Sequence, residues 1–134
     1  MKNLRILIFV VFAGICVSGC AIKGTNISKK GTVKIERIAS ERVRIPWADA
    51  YQDGNNLTIT GVVEQRYQST DSFKVYVEVA IRDANDQLLK EARTVDVYVP
   101  RKSSGKGINW TDFKLTIQMV VPKGVTIKLA VHGA

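Results

Sequence analysis

Cysteine is confined to Cys16 and Cys20, and none follows in residues 21–134. No disulfide can staple the body of the chain, and no thiol there can serve as nucleophile or metal ligand. Histidine is as scarce. His132 is the only one, which excludes a Cys/His metal centre. Long hydrophobic runs are missing too. The uncharged stretch Ile6–Val17 is about a dozen residues, roughly 18 Å as a helix, against the ~30 Å hydrocarbon core a spanning helix must cross. Beyond it no segment carries a helical apolar period. What remains is alternation.

The first twenty residues nevertheless have a plan. Lys2 and Arg5 precede the apolar run, and the small residues Ser18 and Gly19 close it, as in a cleaved signal peptide. Val17-Ser18-Gly19-Cys20 supplies an aliphatic residue, a small residue, glycine and then cysteine. In all four positions it resembles the lipobox of bacterial lipoprotein signal peptides. That resemblance implies a diacylglyceryl group on the Cys20 sulfur, cleavage after Gly19 and acylation of the new amino terminus. Each buried methylene is worth about 0.8 kcal/mol, so two or three chains hold where one is marginal. Ala21, rather than Asp, follows the cysteine, which by the same resemblance implies the outer membrane, with the domain facing the periplasm. The expected layout is a signal peptide at 1–19, a lipidated tether at 20–31 and one domain at 32–134.

Alternation with a period of two runs almost throughout that domain. Val33 and Ile35 mark a first strand, and Val43 and Ile45 a second that Pro46 ends. Trp47–Asn56 reads as an irregular connection with a turn at Asp53-Gly54. Leu57, Ile59, Gly61 and Val63 give a third strand, Gly61 suggesting a bulge or a close approach of backbone. Phe73 to Ile81 gives a fourth, and a hairpin at Asp83–Gln87 follows. Leu88–Arg93 fits neither phase, while Val95, Val97 and Val99 are expected inward in a fifth strand. Phe113 to Val121 and Val125 to Val131 complete the set, with a turn at Pro122-Lys123-Gly124. About seven one-faced strands must pair their apolar faces, which predicts an all-β, antiparallel, immunoglobulin-like β-sandwich. Leu57–Val131 also resembles the FxLYD-type immunoglobulin-like domains of bacteria. Their signature strand falls on Val79-Ala80-Ile81-Arg82-Asp83, which keeps Asp83, has a similar residue at Ile81 and departs at Val79 and Arg82.

No catalytic or cofactor motif stands out. Ser104-Gly105-Lys106 lacks the partners of a phosphate loop, because Pro100 stands where its first glycine belongs and Gly107 where Ser or Thr is required. No Gly-x-Ser-x-Gly elbow occurs. Glu64, Glu78, Asp96 and Asp112 could pair for glycoside chemistry, but on outward faces they are expected to pair with cations such as Lys74 or Arg82. No catalytic, metal or cofactor residue is therefore assigned. The chain carries 20 basic and 12 acidic residues; without Lys2 and Arg5 the mature chain keeps 18 and 12, a charge of +6. That suits anionic neighbours such as head groups or acidic proteins, while nucleic acid does not fit an exported lipoprotein.

The partner-binding candidates are the cations Arg101, Lys102 and Lys106 of a Gly/Ser loop and the outward rings Tyr76 and Tyr98. Trp47 and Trp110 are expected in connections, either as lids over the ends of the sandwich or as exposed rings that form a partner platform or stack on sugars. The expected function is that of a non-enzymatic lipoprotein, tied to the membrane through Cys20, that binds another envelope protein, such as a member of an assembly or secretion complex. The alternatives are a periplasmic inhibitor or immunity protein that blocks an enzyme with a loop, and a carrier with a lipidic cavity between the sheets.

Overall fold

The computed structural model describes residues 24–102 and 109–133. The proposed signal peptide, Cys20, Lys106 and most of the Gly/Ser loop lie outside them. Ten strands occur among the described residues: β1 (Thr25–Asn26), β2 (Val33–Ile38), β3 (Val43–Arg44), β4 (Ala48–Asp53), β5 (Asn56–Gln65), β6 (Phe73–Arg82), β7 (Leu88–Arg93), β8 (Val97–Val99), β9 (Trp110–Gln118) and β10 (Val125–His132). They form two sheets, one of β1, β4, β5, β3 and β9, the other of β2, β10, β6, β7 and β8. The chain is an all-β sandwich.

The strand count exceeds seven because two ladder positions are each filled by a broken strand. β3 and β4 pair the same side of β5, with Pro46 between them. Proline has no N–H for a ladder, so the pairing stops there. Arg37 of β2 covers the gap by donating from Nη1 to Ile45 O (3.1 Å) and to Pro46 O. β7 and β8 share one side of β6 in the same way. At that break Thr94 N–H donates to Val77 O (2.9 Å), and Val77 N–H donates to Thr94 Oγ1 (3.0 Å). A hydroxyl thus stands in for a ladder carbonyl, and the chain loops out at Val95-Asp96.

The core follows the expected alternation in the long strands. Leu57, Ile59 and Val63 of β5, Val75, Val77, Val79 and Ile81 of β6 and Val125, Ile127, Leu129 and Val131 of β10 are buried between the sheets. The Gly61 position is a close approach rather than a bulge. It faces Phe113 across the ladder, and a Cβ there would lie 2.7 Å from the Phe113 ring and from Trp47 O. The Asp83–Gln87 hairpin forms as read: Asp83 Oδ1 accepts from Asn85 N–H and Gln87 N–H, both at 2.9 Å, and Asp86 takes φ 64°. Leu88–Arg93 is the mostly exposed strand β7, with a register shift at Ile81/Arg82.

Four expectations need correction. Residues 24–31 are not tether: Thr25 and Asn26 pair with Gln52 and Tyr51, and Ile27 is in the core. Trp47–Asn56 is not irregular, since Ala48–Asp53 forms β4 with Ala50 fully buried. Val95 is not inward but 83% exposed, because the Thr94 bulge slips the phase by one residue. The pairing is not wholly antiparallel either. β2 runs parallel to β10, and the whole intervening domain is the long crossover that a parallel pair requires.

Candidate partner-binding end

The registers give the sandwich two unlike ends. At one lie Gly24, the β4–β5 hairpin, and the junction where Val33 and Arg82 meet Val125 and Thr126, the first residues of β10. Gln52 ties this end together, its Nε2 donating to Gly54 O, Asn56 O and Met119 O and its Oε1 accepting from Val121 N–H. The other end holds the last residues of β5, β8 and β10, the first residues of β6 and β9, and Arg101-Lys102 after β8. Ten-residue β5 sets the two about 33 Å apart.

Cations and rings gather at this second end. Arg42, before β3, lies over the Phe73 ring at 4.3 Å, and Arg66, after β5, lies over Tyr67 at 5.5 Å. Arg66 also links the two loops, through its N–H on Arg42 O (2.8 Å) and Nη1 on Ser40 O (3.2 Å). Tyr67 is 65% exposed. Beneath them, buried Gln65 donates from Nε2 to Asp71 O (2.7 Å) and Pro100 O (2.9 Å), which fixes both loops to the sheet.

Of the candidates read from sequence, Arg101 is exposed at this end. Lys102 is not a free loop cation. Its main chain bridges Ser69, and its Nζ donates to Gln65 O (3.2 Å), so the ammonium is partly occupied in holding the loop. Lys106 lies outside the described residues. Tyr76 and Tyr98 sit on the outer face of the second sheet as expected from parity, close to the same end. Tyr76 lies under Arg93 at 3.9 Å and stacks on His132 at 5.5 Å, while Tyr98 is exposed. Arg42, Arg66 and Tyr67 were not singled out in the sequence. They stand in separate loops, and nothing in a period of two says that those loops meet.

The tryptophans are not lids. Trp110 is the first residue of β9, opposite Glu64, and Trp47 lies beside Val62, whose N–H donates to Trp47 O (3.4 Å). Both stand on the outer face of the first sheet, 48% and 45% exposed for Trp47 and Trp110, and Val62 there is only 4% exposed. A cleft of about 320 Å³ lies between Trp47, Thr60 and Lys114.

The carboxylates find other partners than Lys74 or Arg82. Glu64 is tied to Arg44 at 2.5 Å, Glu78 lies 3.5 Å from His132, and Arg82 meets Asp86 at 3.9 Å. Glu64 and Asp112 share the outer face of the first sheet, while Glu78 lies on the second. Among the described residues no group of three His, Cys, Asp or Glu could hold a metal ion, and no helix is long and apolar enough to cross a membrane.

No protein family matches this chain, and no curated protein does. Among solved structures, the crystal structure of Campylobacter jejuni cj0090 is similar over 76% of this chain and 99% of that one, at 11% identity and a TM-score of 0.41. A likeness that weak carries no argument.

Proposed function

We propose that this chain is an outer-membrane lipoprotein, acylated on Cys20, whose β-sandwich is a non-enzymatic module that binds another protein of the cell envelope from its ring-and-cation end. The observation that carries this reading is the polarity of the domain. Residue 24 enters at one end, and Arg42, Arg66, Tyr67, Tyr76, Tyr98 and Arg101 cluster at or near the other. Arginine and tyrosine are the residues that dominate protein interfaces, because each combines a large apolar body with a polar tip. From Cys20 to packed Gly24 the chain can reach at most roughly 14 Å, so the lipid would hold the entering end close to the bilayer and leave the other end free to meet a partner.

The test is photo-crosslinking in cells from a probe at Tyr67, compared with one at exposed Lys123 on the entering end. The expected result is an adduct of one defined envelope protein from position 67 and none from 123. Equal labelling from both ends, or none from either, would overturn the binding reading. Palmitate labelling that persists in Cys20→Ala would overturn the lipoprotein reading independently.

A further inference from the structure

The remaining feature is the free side of β9. Ile27 N–H donates to Ala50 O, so even-numbered residues of β4 turn their main-chain groups toward β1 and odd-numbered ones toward β5. By the register Asp49↔Thr60, even residues of β5 answer β4, as Val62 N–H on Trp47 O also shows, and odd ones answer β9. With Gly61↔Phe113, strand β9 uses Thr111, Phe113, Leu115 and Ile117 to bond β5. The main-chain groups of Asp112, Lys114 and Thr116 therefore point to the open side.

That side is unlike the other edges. β1 is two residues long, β2 is six residues long and carries Lys34, Glu36 and Arg37, and β7 is bulged and charged, all common ways of blunting an edge. β9 is nine residues long with an unbroken register against β5, and it pairs no other strand among the described residues. Exposed apolar groups surround it: Trp110 at its start, and Val95 in a cleft of about 260 Å³ between β8 and β9.

We propose that β9 pairs antiparallel with β9 of a second copy, joining the two first sheets into one. The charges select the occupant and the register. Even residues must bond even residues, so three central registers are open. Centring on Asp112 sets Asp112 against itself, and centring on Lys114 sets Lys114 against itself. Centring on Phe113 sets Asp112 against the partner's Lys114, twice by symmetry, within a paired stretch from Trp110 to Thr116. Directly opposed like charges destabilise a ladder and opposite ones support it. Asp112 and Lys114 are both exposed and have no side-chain partner among the described residues, so both are available. The two-fold axis stands perpendicular to the sheet, which is the isologous geometry of a closed dimer. It also points the two entering ends in opposite directions, so two acylated copies reach one bilayer by lying along it.

The test uses the full chain, extracted in detergent, with sedimentation velocity as the readout. Wild type is expected to be a dimer at micromolar concentration. Asp112→Lys and Lys114→Asp, each alone, should weaken dimerisation at least about tenfold, since each opposes like charges twice. Mixed in equal amounts, the two variants should form a heterodimer, because every opposed pair is then complementary. That recovery also shows that both variants fold. A wild type that stays monomeric at about 100 μM, single variants that remain dimeric, or a mixture that stays monomeric would each overturn the proposal.

Discussion

Thr94 is the residue whose replacement separates a ladder hydrogen bond from mere packing. Its hydroxyl accepts from buried Val77 N–H, and its own N–H donates to Val77 O. Thr94→Val keeps the shape but leaves the Val77 donor without an acceptor, at a cost of about 1–3 kcal/mol. A melting temperature lower by roughly 5–10 °C is expected in a thermal scan, with Thr94→Ser recovering most of it. Gly61 makes a second case. An added methyl would press on the Phe113 ring and on Trp47 O, and the carbonyl cannot move aside as a side chain can. Gly61→Ala should cost about 1–3 kcal/mol by overpacking, measured by urea denaturation; an unchanged midpoint would mean that the sheet can flex there. The sequence already flagged Gly61, because glycine in a strand interior needs a reason. It hid Val95, because a valine one place out of phase looks like any other valine, and only the Thr94 hydroxyl reveals the slip.

At the scale of elements, legibility followed side-chain contrast. β5, β6 and β10 set large aliphatic residues against polar ones, and their alternation showed. β4 escaped notice because its inward residues are Ala48 and Ala50, too small to stand out beside Tyr51. β1 escaped because two residues make no period. Both depend on neighbours for their place, and so does the break at Pro46. There, Arg37 reaches across from β2 to the carbonyls of Ile45 and Pro46. Arg37→Met keeps the apolar stem and removes both donors, at roughly 0.5–1.5 kcal/mol per bond at most, since the site is partly open to water. The expected outcome is faster amide exchange at Arg44 and Val62, while Ile59, bonded to β9, exchanges at its wild-type rate. Uniform acceleration would instead mean that Arg37 serves the stability of the whole sandwich.

For the whole molecule, the arrangement of charge decides what the ring-and-cation end can do. Arg42, Arg66, Arg101 and Lys102 outnumber Glu41 and Asp71 there, and the proposed mature charge of +6 has the same sign. In the sequence Arg101, Lys102 and Lys106 look equivalent, three cations of one Gly/Ser loop. The structure separates two of them: Lys102 holds Gln65 O, whereas Arg101 is exposed with no side-chain contact among the described residues. Replacing Arg101 and Lys106 by Ser should leave the melting temperature within about 1 °C, since Arg101 is exposed and exposed charges carry little stability. Lys102→Ser should lower it, since a carbonyl loses its donor. If the end meets an acidic partner, long-range attraction speeds encounter and fades as salt shortens the Debye length from ~8 Å at physiological strength to ~3 Å at 1 M. The association rate with the protein trapped at Tyr67 should then fall in the Arg101/Lys106 variant at low salt, by up to about tenfold, and converge with wild type at high salt. Parallel curves over the whole salt range would leave the rings of Tyr67, Tyr76 and Tyr98 as the binding groups and remove the cations from that role.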